Sequence, residues 1–286
     1  MHLLIFGLGY TAAHFAKAFG DRFVSVTGTV RGQGGDRPDV PGIRLVPFMN
    51  GQTTPELDEA LGQATHVLVS IPPDDDGDPV LRVFGEALSR LPDLRWIGYL
   101  STVGVYGDAG GAWIDETAPL HPTSERNRRR VAVESDWLAL ATGRALPVQI
   151  FRLAGIYGPG RNALANVLEG KARRIIKPGQ VFNRVHVTDI ARALNQGIER
   201  PEAGPVFNVT DNEPAPPQDV IAHAAGLLGR SVPPDIAFAD AALSPMGRSF
   251  YGENKRVSNR LMREILGCRP LYPTYREGLA ACFAEL

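Results

Sequence analysis

The stretch Leu3-Leu4-Ile5-Phe6-Gly7-Leu8-Gly9-Tyr10-Thr11-Ala12 decides the fold. Four apolar residues halted by a glycine spell a buried strand. Thr11 to Phe19 follows with helical spacing, and Ala12, Phe15, Ala16 and Phe19 share one face. Between strand and helix, Gly7 to Ala12 fits the pattern Gly-x-Gly-x-x-Gly/Ala. Gly7 permits the tight turn, Gly9 lets a pyrophosphate approach the backbone, and Ala12 allows close packing of helix on strand. The helix start, at Tyr10 and Thr11, offers free N–H groups and partial positive charge to the phosphates. A lone match is a weak signal; a strand before it and a helix after it make it a dinucleotide site.

Outward from this turn, strands and helices alternate. Phe23 to Val30, Ile43 to Phe48, His66 to Ile71, Trp96 to Leu100 and Pro147 to Arg152 read as strands, with Pro72 and Pro73 closing the third of these. Val80 to Leu91 and Arg128 to Leu140 have helical periodicity. Alternation with apolar strands predicts an α/β fold, a Rossmann doubly wound parallel sheet covered on both faces. Pro/Gly-rich segments at Gly158 to Gly160 and Pro214 to Pro217 mark exits from the sheet, and Val185 to Leu194 and Val206 to Thr210 read as returns to it. The expected division is a dinucleotide-binding domain at 1–157 plus 184–212 and a small mixed C-terminal cap at 158–183 plus 213–286.

Composition narrows the function. The chain has 286 residues, 44% hydrophobic and 21% charged, enough for a sizeable core. A formal net charge of -1 gives no bulk attraction to nucleic acid or to an anionic membrane, and neither partner is expected. No apolar run approaches the roughly 20 residues that span a bilayer, and Met1 to Gly7 lacks the basic and long apolar regions of a secretion signal. Cys268 and Cys282 offer neither a disulfide framework nor metal-ligand spacing, so no metal is expected and a cytoplasmic location is. Asp74, Asp75 and Asp76 point in different directions, the mark of a solvated loop.

The end of the second strand selects the cofactor. An acid about 20 residues past the glycines would hold the ribose 2′-hydroxyl of NAD. This chain has Thr27-Gly28-Thr29-Val30-Arg31, with no acid until Asp36. Arg31 suits a 2′-phosphate as a charge-assisted fork, and Thr29 adds a hydroxyl. NADP is therefore expected over NAD.

Further landmarks carry a resemblance. Leu100-Ser101-Thr102-Val103-Gly104-Val105-Tyr106-Gly107, Arg152-Leu153-Ala154-Gly155-Ile156-Tyr157-Gly158-Pro159-Gly160, Val185-His186-Val187-Thr188-Asp189 and Phe207-Asn208-Val209-Thr210 stand in order along the chain. Together they resemble the extended short-chain dehydrogenases/reductases of the NAD-dependent epimerase/dehydratase group. Ser70-Ile71-Pro72-Pro73 and Asn254-Lys255-Arg256-Val257-Ser258-Asn259 are similar to its atypical bacterial members. The resemblance implies that the cofactor also lies against Ser70, Ile71, Pro72, Ser101 and Thr102, against Arg130, and against Leu153, Ala154 and Gly155. It also implies a homodimer through helices that flank the site.

One departure matters. The group's chemistry uses a Ser/Thr, for which Thr102 stands, and a Tyr-x-x-x-Lys pair one helical turn apart. Counting back from Glu134, which fits the group's glutamate, Arg130 occupies the lysine position and Arg126 the tyrosine position. Arg130 retains donors for a ribose, whereas Arg126 stays protonated and cannot serve as general acid or base. Arg126 and Arg130 suit a phosphate or carboxylate instead. A literal Tyr251-x-x-x-Lys255 lies in the cap region, where a helix start is expected rather than a catalytic pair. Tyr106 and Tyr157 read as packed landmarks, and His186 as structural.

Two functions follow from this pattern. The first is an NADP-dependent oxidoreductase or epimerase/dehydratase of atypical mechanism, acting on a small sugar-like or anionic substrate through Thr102, Arg126 and Arg130. The alternative is a non-catalytic NADP(H)-sensing protein.

Overall fold

The computed structural model describes residues 1–32, 40–49, 51–144, 146–202 and 204–286. In chain order the first elements are β1 (His2–Phe6), α1 (Tyr10–Phe19), β2 (Ser25–Val30), β3 (Ile43–Pro47), α2 (Pro55–Gln63), β4 (His66–Val69), α3 (Pro79–Leu88), β5 (Trp96–Thr102), β6 (Trp113–Ile114), α4 (Glu125–Arg144) and β7 (Val148–Leu153). There follow β8 (Gly155–Tyr157), α5 (Ala163–Leu168), β9 (Arg174–Ile176), β10 (Arg184–His186), α6 (Val187–Glu199) and β11 (Val206–Val209). The chain ends with α7 (Pro217–Leu227), β12 (Asp235–Ala237), α8 (Pro245–Phe250), β13 (Arg256–Val257), α9 (Arg260–Glu264) and α10 (Tyr275–Ala284).

Seven parallel strands form one sheet in the order β3-β2-β1-β4-β5-β7-β11. The order reverses between β1 and β4, and a ligand crevice opens at such a switch point beyond the strands' carboxyl ends. Alternate residues of β1 explain the two covered faces. Leu3 and Ile5 join the core under α1 and α6, while Leu4 and Phe6 join the core under α2, α3 and α4.

The expected Rossmann sheet is present, with two corrections to its parts. Val185 to Leu194 does not return to the sheet. Arg184–His186 pairs with β8 outside it, and Val187–Glu199 is helix α6, packed on α1. Val187, Ile190, Ala191 and Leu194 recur at helical spacing, and the His186 ring accepts the Thr188 N–H at 3.2 Å as the N-cap. Helix α2 was not anticipated, although Thr54 caps it, Pro55 opens it and Glu56 and Asp58 fill its first turn.

The C-terminal segment divides between cores. Tyr157, Leu164, Val220, Tyr275 and Leu279 form a cluster of their own. Val257, Met262, Leu266 and Cys268 instead join the core of the main sheet, so residues 213–286 are not all cap. Among the described residues, no helix is long and apolar enough to cross a membrane.

Candidate functional site

The glycine turn is built as its residue types require. Gly7 has φ +88°, where side chains are disfavoured, and an added Cβ would lie 2.8 Å from Ile71 Cγ1. Its N–H donates to Thr29 Oγ1 at 2.8 Å, and Leu8 N–H donates to Thr29 O at 2.8 Å. Thr29 is 1% exposed, so it shapes the turn from within and is corrected as a direct cofactor contact. Gly28 was missed by sequence reasoning: a Cβ there would press on Leu8 at 3.0–3.3 Å. Gly9 is the N-cap of α1, and an added Cβ would meet nothing within 4 Å. Backbone, open space and the free first-turn N–H groups of Tyr10, Thr11 and Ala12 thus fit a pyrophosphate. Arg31 lies exposed at the end of β2, and Asp36 lies outside the described residues.

A cavity of about 1220 Å³ runs from this end of the sheet beneath the cap segments. Thr11, Ser70, Pro72, Thr102, Arg130 and Leu153 line it, as do Ala154 and Gly155. Ile71 backs Gly7 instead of lining it. Thr102 is half-buried and its Oγ1 accepts the Gly104 N–H at 3.1 Å, which leaves the hydroxyl proton available.

Ser101 differs from its neighbour. Its hydroxyl donates to the buried Glu134 carboxylate, while the residue itself also lines the cavity. Glu134 also receives Arg152, with Nε at 3.0 Å and Nη2 at 2.7 Å from Oε2. Arg152 Nη1 donates to Tyr106 OH at 2.9 Å, and Tyr106 donates to Asn208 Oδ1 at 2.7 Å. Burial raises the Tyr106 hydroxyl to about 12. Tyr106 is therefore a structural tie. The missed signal was Arg152 itself, since an arginine inside an apolar strand needs a buried acid.

On α4 the two arginines behave differently. Arg130 is half-buried and its Nη1 donates to Leu100 O at 2.6 Å and to Tyr99 OH at 2.8 Å. Arg126 is exposed and its guanidinium stands 5.7 Å from the Phe250 ring centroid. Of the cavity-lining tyrosines, Tyr157 OH donates to Thr274 O at 3.4 Å, toward the start of α10, and Tyr251 directly follows Phe250, whose ring lies beneath Arg126. Asn127, next to Arg126, is 6% exposed, lines the cavity and has an unpartnered Oδ1.

Tyr251, Glu253 and Lys255 also line the cavity, and the segment follows a helix where a helix start was expected. Tyr251 follows the end of α8, and Lys255 precedes β13, so the two do not share a helix face. Lys255 Nζ donates to Gly107 O at 2.6 Å and pairs with Glu253, which also accepts from Thr123. Asp74 and Asp75 pair with Arg82 and Arg129 on the surface, and among the described residues no three His, Cys, Asp or Glu could hold a metal.

Comparison with known proteins agrees with this architecture. Residues 81–210 match the NAD dependent epimerase/dehydratase family. Protein YeeZ of Escherichia coli strain K12 is 30% identical over 271 residues, which cover 90% of this chain and 93% of that protein. A functionally unknown conserved protein from Silicibacter pomeroyi superposes with a TM-score of 0.87 at 47% identity, covering 99% of this chain and 98% of that one. The dTDP-glucose 4,6-dehydratase of Bacillus anthracis, solved in complex with NAD, shares the fold at TM-score 0.80 and 20% identity, over 99% and 96% of the two chains. The chain thus belongs to the NAD-dependent epimerase/dehydratase family of extended short-chain dehydrogenases/reductases.

Proposed function

We propose that this protein is an NADP-dependent oxidoreductase or epimerase of atypical mechanism, acting on a small anionic or sugar-like substrate. One observation carries the reading: a single cavity joins the dinucleotide end of the sheet to Thr102 and to six cations, Arg126, Arg130, Arg161, Arg173, Arg184 and Lys255, against the carboxylates Glu169 and Glu253. An excess of fixed positive charge favours an anion over a neutral ligand.

In this reading the backbone from Gly7 to Ala12 holds the pyrophosphate, and Arg31 holds the 2′-phosphate. Arg130 presents its remaining N–H groups to the nicotinamide ribose. The dinucleotide, when bound, supplies or accepts a hydride. Thr102 donates a hydrogen bond to the reacting oxygen, and Arg126 holds the substrate's anionic group. Neither arginine moves a proton at neutral pH, so the proton comes from solvent, from the substrate itself or from a nearby tyrosine. The buried free cysteines Cys268 and Cys282 suit the reducing cytoplasm, and the flanking helices α3 and α4 are where a homodimer would form.

The test pairs binding with isotope transfer. NADPH should bind more tightly than NADH, and Arg31→Ala should remove about tenfold of that preference. Deuterium from 4-deuterated NADPH, incubated with the protein and a metabolite extract, should appear in a product, and Thr102→Ala should abolish the transfer. Equal affinity for the two cofactors overturns the NADP assignment. A second reading, an NADP(H) sensor, is favoured by Arg126 at the tyrosine position, and it predicts binding with no deuterium leaving the cofactor.

A further inference from the structure

We propose that Arg161 closes over the pyrophosphate from the cap side, a second phosphate-binding group facing the start of α1. This rests on the dinucleotide reading above. The loop that carries Arg161 is fastened to the glycine turn. Tyr10, the first residue of α1, donates its hydroxyl to Pro159 O at 3.1 Å, across 149 residues of sequence. Gly158 makes room for that contact: a Cβ there would lie 2.6 Å from the Tyr10 hydroxyl and 2.6 Å from Val187 Cγ1.

The loop is also braced within itself. Gly158 and Arg161 exchange backbone hydrogen bonds at 3.0 Å, Gly160 takes φ +70°, and Asn162 Nδ2 donates to Gly158 O at 2.8 Å. The position of Arg161 along the chain is therefore fixed. Its guanidinium lies over the Tyr10 ring, 5.7 Å from the centroid. That ring belongs to the residue whose own N–H opens the phosphate site.

Three arginines of the cap and its neighbourhood are ion-paired, Arg174 with Asp235, Arg192 with Asp189 and Arg276 with Glu213. The cavity-lining Arg173 and Arg184 have no ion pair among the described residues but do not stack on Tyr10. Arg161 takes no ion pair among the described residues, is exposed, and lines the same cavity as Thr11. A helix N-terminus and an unpaired guanidinium are two positive poles at one gap, and an anion between them satisfies both. Stacking on Tyr10 restricts the arginine beforehand, which lowers the entropy lost on binding. A planar fork matches phosphate oxygens, and the chemistry it recognises is a diphosphate diester.

The experiment titrates the intact chain with four probes: NADPH, NADH, ADP-ribose and adenosine 2′-phosphate. Arg161→Ala should weaken NADPH, NADH and ADP-ribose by a common factor of about 10- to 100-fold and leave adenosine 2′-phosphate unchanged. Arg161→Lys should recover part of the loss. Arg31→Ala should do the opposite, weakening NADPH and adenosine 2′-phosphate but not NADH. Arg161→Gln gives a second variant should the alanine form fold poorly, with folding checked by thermal melting. Wild-type affinity of the folded alanine or glutamine form for NADPH and ADP-ribose overturns the proposal, and so does an equal loss for adenosine 2′-phosphate. Wild-type protein that binds none of the dinucleotides overturns the cofactor reading itself, a result separable from the variant comparison.

Discussion

The two rims of the crevice are built differently. At the glycine turn, each small residue answers a local demand: Gly7 the positive φ and Ile71, Gly28 the Leu8 side chain, Gly158 the Tyr10 hydroxyl. Across the crevice, Thr102 ends β5 next to Ser101, which the buried Glu134–Arg152 pair holds, and the start of α4 presents the exposed Arg126, where the proposed function places a substrate anion. Binding depends on backbone shape, which tolerates few residue types. Proton transfer depends on one side chain, which a single codon can replace without disturbing the scaffold. The difference is why cofactor binding can outlast, or be separated from, a change of chemistry.

The largest expected effect breaks that scaffold. Glu134 and Arg152 have side chains 1% and 5% exposed. Arg152→Leu leaves a buried carboxylate unpaired and should destabilise the fold by about 3–5 kcal/mol in urea unfolding. The double change Glu134→Gln with Arg152→Leu should recover part of this, since no charge is then stranded. Arg126→Ala, about two helical turns from Glu134 along α4 and exposed, should change stability by less than about 0.5 kcal/mol. Equal costs for Arg152→Leu and Arg126→Ala would erase the distinction between scaffold and replaceable rim.

A smaller effect divides the glycine turn itself. Gly7→Ala meets both a positive φ and a 2.8 Å contact, and should lower stability by about 1–3 kcal/mol. Gly9→Ala meets no atom within 4 Å, so its stability should stay within about 0.5 kcal/mol of wild type. Its Cβ nevertheless enters the space into which a pyrophosphate approaches, and NADPH affinity should fall more than about tenfold. A Gly9→Ala protein with full affinity would show that the turn is shaped for packing rather than for the nucleotide.

How legible each rim was follows from the range of its interactions. Gly7 to Ala12 and the parallel sheet were readable because turn, strand and helix signals lie within a few residues. The Val185 to Leu194 error arose where a three-residue strand runs straight into a helix, so that an apolar run mixes periods of 2 and 3.6. A hydroxyl near a ligand site has two uses, and sequence does not show that Thr29 accepts from Gly7 N–H or that Ser101 donates to Glu134. The placement of Arg161 and Lys255 in the cavity is not legible in the sequence, because their neighbours, Tyr10 and Gly107, lie about 150 residues away. Spacing carries no information about such contacts.

The last effect is one of pH, and it is read as a slope. His66 on β4 and His186 at the cap of α6 are each 3% exposed, and burial lowers both to about 4. In the unfolded chain a histidine titrates near 6.5. Between pH 6.5 and 4 each of these histidines therefore binds a proton in the unfolded state but not in the folded one, and its contribution to stability falls as the solution is acidified. Their contribution is fully present above pH 6.5 and lost progressively down through pH 4. Asp211, whose carboxyl burial raises to about 8, acts with the opposite sign in that window, so the histidine effect is read as a difference: His66→Gln should lower the slope of unfolding free energy against pH by up to one proton relative to wild type. His186 supports the rim directly, because its ring caps α6, the helix packed on α1. Hydrogen exchange across the same window should therefore open α6 and α1 before α4, whose Arg126 and Arg130 stay charged throughout. Simultaneous opening of α4 and α6 would mean that the two rims unfold as one unit, and that their separation is chemical without being mechanical.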